Sequence, residues 1–299
     1  MGRERSYVAR ADARAKLNLS LKVLGRRPDG YHELDTWMAT VALADRLSLC
    51  MTRVPEGGRV TLDVTGEGVP TDASNLACRA AAALFDAAGI DPGHVSLKMT
   101  LEKHIPVAAG LGGGSADAAC VLRTLSRGMT ALGIADLSRE RVLAVADAVG
   151  ADVPFLVEGG VRRCRGTGNV MGAPAKLPAW PTLIAHPPVT VSTPEAFRRL
   201  DQMRAAAEVP SIDVGDAPLA VVANDFLPVV AKRHEVIHAL VGALTDAGAF
   251  ACSMTGSGPT CFGLFETEAC RDRAHRTLTA AHPEIRWIAT SLATDMTPL

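Results

Sequence analysis

The densest run of chemically capable residues is Pro106-Val107-Ala108-Ala109-Gly110-Leu111-Gly112-Gly113-Gly114-Ser115-Ala116-Asp117. Four glycines within five positions, closed by a serine where a helix is expected, let the backbone approach a ligand and aim several N–H groups at one point. An anion, usually a phosphate, suits such a place, because the helix start and its unpaired N–H groups both favour negative charge. Glycines also serve tight packing, so the loop alone leaves that alternative open. No Gly-Lys-[Ser/Thr] follows, which excludes a Walker A loop, and the spacing of a dinucleotide fingerprint is absent. Other candidates stand apart in the chain: Lys16 and Asn18, Tyr31-His32, Asp152 between Gly150 and Pro154, and a late turn Thr255-Gly256-Ser257-Gly258-Pro259-Thr260.

These residues need elements to carry them. Leu17, Leu19, Leu21 and Val23 alternate with Lys16, Asn18, Ser20 and Lys22, which predicts a strand with one buried face and places Lys16 and Asn18 together on the other. The turn-rich Arg26-Arg27-Pro28-Asp29-Gly30 then delivers Tyr31-His32. Strands are expected at 37–43, 46–52, 59–65 and 95–102, and an Ala-rich helix over 75–88. The glycine cluster opens a helix from about 115 to 127; a second runs from Ser138, its N-cap, to Val149, with Gly150 as its stop. Asp152 follows directly. Beyond Gly159-Gly160 come a basic glycine turn and a proline-rich passage, with helices near 194–207 and 235–247 and a flexible insertion over 205–220. The late glycine turn joins two strand-like segments. A domain boundary near 162 divides the chain into 1–162 and 163–299.

At 299 residues the chain is about twice an ordinary domain, in keeping with two domains. Hydrophobic residues at 48% and charged residues at 21% define an ordinary globular composition, so a sizeable core is expected. Thirty-one basic against 32 acidic residues leave a charge of −1, without the basic excess that nucleic-acid backbones demand. No apolar run reaches the ~18 residues of a membrane span; Asp86 and Asp246 cut the two most apolar stretches. The N-terminus fits M-G-x-x-x-[ST], a pattern loose enough to recur by accident, and lacks the apolar region of a secretory signal. Seven scattered cysteines without C-x2-C spacing indicate neither a disulfide scaffold nor a zinc site and suit a reducing cytoplasm.

The glycine loop resembles the phosphate-binding motif P-x3-G-L-G-G-G-S-[AS]-[DN]-A-A of the GHMP kinase superfamily, and three further blocks agree in order and spacing. Ala15-Lys16-Leu17-Asn18-Leu19, with the segment from Arg26 to Thr36, is similar to P-A-K-I-N-L and R-x-D-G-Y-H-x-L-x-T; Gly150-Ala151-Asp152-Val153-Pro154 and the Gly256 turn supply the others. The match is nearest to the branch that acts on a cytidine diphosphate-linked methylerythritol in non-mevalonate isoprenoid synthesis. It departs at Arg14, where proline is usual, at Ala108-Ala109, which stiffen the loop start, and at Asn169, which replaces a common glutamate.

The resemblance implies an α+β, two-domain GHMP kinase fold: a ribosomal protein S5 domain 2-like N-terminal domain and a ferredoxin-like C-terminal domain. It implies ATP and Mg2+ as cofactors, with transfer of the γ-phosphoryl to a hydroxyl of the methylerythritol moiety, giving the 2-phosphate. Asp152 would be the base, and Lys16 would neutralise phosphate charge and hydrogen-bond Asp152. Asn75, Pro106, Ala109, Gly110, Leu111, Gly112, Gly113, Gly114 and Ser115 would hold the nucleotide, Ser115 also helping to place the metal. Asn18, Tyr31, His32, Thr193, Phe197, Gly256 and Ser257, together with Asp152, would bind the acceptor, Asn18 doing so or else orienting Lys16, with Tyr31 stacking on cytosine and His32 meeting its polar edge. A mevalonate, phosphomevalonate or homoserine kinase is the nearest alternative, and a non-catalytic nucleotide sensor a remoter one. A cytoplasmic monomer or weak homodimer, without membrane or nucleic-acid partners, is expected.

Overall fold

The alternation at 15–23 is the middle of a much longer strand, β1 (Ser6–Arg26), paired antiparallel with β2 (His32–Arg53). The computed structural model describes residues 5–66 and 68–295, so most of the Met-Gly pattern at the N-terminus lies outside the described residues. The two strands expected at 37–43 and 46–52 are one. Asp45, which interrupts the apolar pattern, is fully buried, and its carboxylate accepts the Ile105 N–H at 2.8 Å, so the charge is satisfied without a turn.

β3 (Val60–Thr65), α1 (Leu76–Ala87) and β4 (Val95–Glu102) follow, then α2 (Gly113–Ala131), α3 (Arg139–Val149), α4 (Val153–Glu158), β5 (Val161–Gly166) and β6 (Val170–Ala175). The first sheet has the order β3-β4-β2-β5-β6, with β1 on β2, and the helices pack on it. Side-chain caps begin α1 and α3: Asn75 accepts the Ala77 N–H, and Ser138 that of Arg141. The second half carries β7 (Pro181–His186), α5 (Thr193–Ala205), α6 (Leu227–Ala231), α7 (Glu235–Asp246), β8 (Ala251–Met254), β9 (Cys261–Leu264), α8 (Glu268–Ala281) and β10 (Arg286–Ser291). Its sheet has the order β10-β7-β9-β8, every pair antiparallel.

Three expectations are corrected. A boundary at 162 falls inside β5, which pairs with β2 from Leu34↔Gly166 to Ala39↔Val161. The basic glycine turn is the hairpin joining β5 to β6 rather than a linker, so the sheets change only after Ala175. Second, β1 has no solvated face where it matters: residues 15–21 are buried on both sides, with Leu17 and Leu19 in the first core and Leu21 and Val23 in the second. Third, residues 208–223 form no helix or strand but are tied down, Val214 being buried in the first core and the Ile212 N–H bonding to Asp225.

Candidate active site

The loop before α2 is shaped by conformation and by space. Gly110 and Gly112 have φ of +75° and +71°, the left-handed region that costs residues with a Cβ ~1 kcal/mol or more. A Cβ on Gly110 would also lie 2.5 Å from the Thr255 carbonyl oxygen, so no larger residue fits there without moving backbone. Ala108 bears the same strain at +54°. Gly112 serves as N-cap without a side-chain hydrogen bond, and the first helical bond is Ala116 N–H to Gly112 O at 2.8 Å. The N–H groups of Gly113, Gly114 and Ser115 therefore have no partner inside the helix. They edge a cleft of about 360 Å3 walled by Pro106 to Gly110 and Gly112 to Ser115 on one side and by Pro70, Asn75 and Leu76 on the other.

One wall holds a charge cluster that the sequence motif does not reveal. Lys103 Nζ sits between the carboxylates of Asp45 and Asp117, all three buried. One lysine cannot balance two carboxylates, and Asp117 Oδ1 has no hydrogen-bond partner. Burial, opposed by Lys103 and reinforced by Asp45, pushes the Asp117 carboxyl up to about 7.

A second cleft, of about 210 Å3, opens on the far side of the loop and shares Gly110 and Gly112 with the first. Lys16, Asn18 and Asp152 line it with Thr193, Phe197, Gly256 and Ser257. Lys16 is only 4% exposed, and its backbone N–H donates to the Leu111 carbonyl at 3.0 Å, which ties β1 to the glycine loop. Its Nζ lies 3.7 Å from Asp152 Oδ2, an ion pair longer than the expected hydrogen bond, and donates instead to Asn18 Oδ1 at 2.6 Å. The same Oδ1 accepts the Gly256 N–H at 3.0 Å, while Nδ2 donates to Thr36 Oγ1 at 2.9 Å. Asn18 thus spends its amide on orienting Lys16 and joining the late turn to β1. Asp152 begins α4 without capping it, and its side chain, 32% exposed, is left free to face the cleft.

The late turn reaches the site because the second half folds back over β1. Asn224 Nδ2 donates to the Met254 and Gly256 carbonyls at 2.7 and 2.8 Å, and Leu21 of β1 donates its N–H to the Ala223 carbonyl at 2.9 Å and accepts the Asp225 N–H at 3.0 Å. Thr193 Oγ1 and Ser257 Oγ lie 2.7 Å apart across the mouth of the cleft. Sequence reasoning missed Lys103, Asn224 and Asp225; only Lys103, just before the Pro106 loop, stood close enough to a motif to attract notice.

The aromatic residues come together in part. Tyr31 is 67% exposed, its N–H bonded to Asp29 Oδ1 at 3.1 Å. His32 lies flat on Phe197, ring centroids 4.3 Å apart, with Nε2 2.9 Å from Asp201. The imidazole is therefore engaged with protein, and Phe197 rather than His32 lines the cleft. Asn75 lines the first cleft, but its amide caps α1 and donates to the Pro70 carbonyl at 2.7 Å. Asn169 closes the β5–β6 turn, accepting the Thr167 N–H at 3.2 Å and donating to Asp147 at 2.6 Å. Cys164 and Cys261 are buried, which pushes both thiols up to about 12, and all seven cysteines are free. Among the described residues no helix is long and apolar enough to cross a membrane.

A backbone cradle for phosphates that opens onto a buried lysine and a carboxylate defines a small-molecule phosphotransferase. The family model described as the GHMP kinases N terminal domain matches residues 75–160, and that of the GHMP kinases C terminal matches 215–284. A 4-diphosphocytidyl-2-C-methyl-D-erythritol kinase of Geobacter sulfurreducens is 38% identical over 94% of this chain and 97% of its own; that of Geobacter metallireducens is 41% identical over 86% and 89%. A crystal structure of 4-(cytidine 5'-diphospho)-2C-methyl-D-erythritol kinase superposes with a TM-score of 0.73 at 33% identity, covering 96% of this chain and all of the other. A homoserine kinase from Cytophaga hutchinsonii, 19% identical, shares the fold, with a TM-score of 0.70 over 98% of this chain and 96% of its own. The chain belongs to the GHMP kinases, and within them to the family of the 4-diphosphocytidyl-2-C-methyl-D-erythritol kinases. It is an ATP-dependent small-molecule kinase.

Proposed function

We propose that the protein transfers the γ-phosphoryl group of ATP to a hydroxyl of 4-diphosphocytidyl-2-C-methyl-D-erythritol, in non-mevalonate isoprenoid synthesis. The observation that carries this reading is the meeting of the two clefts at Gly110 and Gly112, where the Lys16–Asp152 pair stands. A nucleotide lying along the glycine loop ends its triphosphate there, and an acceptor in the second cleft brings its hydroxyl to the same point.

Asp152 takes the proton of the acceptor hydroxyl, whose oxygen forms a bond to the γ-phosphorus as the bond to the bridging β–γ oxygen breaks and ADP leaves. Lys16, held by Asn18, offsets the charge on the transferring phosphoryl group, and burial makes its field stronger than it would be in water. The N–H groups of Gly113, Gly114 and Ser115 hold the phosphates with Gly110 and Gly112 beside them, while Pro106, Ala109 and Leu111 shape the loop that presents them. Asn75, in the opposite wall, bounds the nucleotide end. The cradle, whose N–H groups at the head of α2 have no partner inside the helix, fits a triphosphate. Among the described residues no three acidic, histidine or cysteine side chains cluster for a metal. Ser115, which lines the nucleotide cleft at the head of α2, is the residue that would help to hold Mg2+, and the ion would supply positive charge against the phosphates. Thr193, Gly256 and Ser257 steady the acceptor, and Tyr31 and Phe197 pack on its cytosine, His32 acting behind Phe197. We place the enzyme in the cytoplasm, where seven free thiols are stable, as a monomer or weak homodimer without nucleic-acid partners.

ADP release measured against a panel of acceptors tests the reading. Turnover with the cytidylylated compound, and none with mevalonate, phosphomevalonate or homoserine, is the expected result; turnover with any of those three alone would replace it.

A further inference from the structure

Asp201 lines neither cleft, yet it reaches the acceptor side through one residue. Its two carboxylate oxygens lie 2.9 and 3.1 Å from His32 Nε2. A carboxylate offers only acceptors, so Nε2 carries the proton of the pair. The His32 side chain is 9% exposed and stacks on Phe197, the rings inclined by 21°. Phe197 in turn meets Phe226 edge-on at 4.7 Å, and both phenylalanines line the acceptor cleft. His32 belongs to β2 in the first half, whereas Phe197 and Asp201 sit one helical turn apart on α5 in the second. The contact therefore clasps the two halves where the aromatic wall stands.

We infer that Asp201 is a positioning residue for the acceptor: by fixing His32 it holds Phe197 as the wall on which a flat pyrimidine ring packs. This rests on the proposed function, since it takes the base-bearing end of the acceptor to lie against Phe197. The role is separable from folding. Arg204, further along α5, donates to the Val23 carbonyl and pairs with the buried Asp225, so α5 stays anchored to β1 when Asp201 is removed.

Steady-state kinetics of wild type, Asp201→Ala and Asp201→Asn, with acceptor and ATP varied separately and Tm recorded, decide the matter. Asp201→Ala should raise the acceptor KM roughly 10-fold, the scale of a lost hydrogen bond to a charged group, with kcat and the ATP KM changing by less than about twofold. Asp201→Asn, whose amide oxygen still accepts the Nε2 proton, should recover most of the loss. An unchanged acceptor KM in Asp201→Ala overturns the inference. So do equal rises in both KM values with a lowered Tm, or an asparagine variant as impaired as the alanine one. A wild-type protein that releases no ADP with the cytidylylated acceptor sinks the proposed function instead; normal wild-type turnover beside an unaffected Asp201→Ala sinks this inference alone.

Discussion

The two clefts that meet at Gly110 and Gly112 are built on different principles. The nucleotide side is made of backbone: N–H groups at the head of α2, held open because glycines occupy left-handed positions and because a Cβ at 110 would strike Thr255. It comes from two stretches of chain, the loop and helix head within 103–117 and the opposite wall within 68–76. The acceptor side is made of side chains from at least five separate segments, carried by β1, β2, α4, α5 and the turn after β8. A backbone cradle binds what every nucleoside triphosphate shares, so one conserved geometry can serve many acceptors. In the proposed reading, side chains from both halves supply what distinguishes one acceptor from another, and contacts between those halves, such as Asn18 to Gly256 and His32 to Asp201, help to hold them in position.

The contrast can be tested most severely at Asp152. Asp152→Asn should lower kcat by about 10^2–10^4-fold, the usual scale for a lost general base, while ATP binding measured calorimetrically stays close to wild type. Turnover near wild type would remove Asp152 from proton transfer. On the other side of the junction, Gly110→Ala forces a Cβ against backbone in a left-handed residue, and the expected effect is a rise in the ATP KM of roughly 10–100-fold, or ~1.4–3 kcal/mol, with loss of thermal stability. An ATP KM within error of wild type would mean that the loop is not the cradle. Tyr31→Ala should weaken acceptor binding by about 1–3 kcal/mol, the value of a lost base stack, and leave the ATP KM unmoved. A parallel loss for both substrates would blur the division of labour.

The smallest effect is expected at Asp117, through pH. Its carboxyl is raised to about 7 by burial, so between the unfolded value near 3.8 and about 7 the folded state binds the extra proton. Native stability from this group is thus lost as pH climbs through that window and changes no further above it. Asp117→Asn, which cannot ionise, should gain in Tm relative to wild type between pH 5 and pH 8. A constant difference across that range would show that Lys103 holds Asp117 ionised throughout.

Much of the nucleotide side was legible before any coordinates. The glycine run, Ser115 and the strand over 95–102 are local features, and β4 spans those very residues. α2 starts two residues earlier than expected, because Gly112 caps it from a left-handed conformation that a side-chain rule does not register. The acceptor side was legible only as a set of names. Alternation placed Lys16 and Asn18 on one face of β1, but it promised them solvent; the second half covers that face and turns an ordinary surface lysine into a buried one. His32 was expected to read a base, yet its ring is taken up by Phe197 and Asp201, partners 165 and 169 positions away.

The amino-acid sequence by itself determined the pieces whose physics is local: where glycine frees the backbone, where Asn75 and Ser138 start helices, and which faces of strands and helices are apolar. It also settled the family, through four ordered blocks. Only the tertiary structure decided that the first sheet runs on to Ala175, that Asn18 joins the late turn to β1, and that Asp201 stands behind the aromatic wall. Those outcomes depend on contacts between segments far apart in the chain, and a pattern of spacing within one segment carries no record of what another will bring against it.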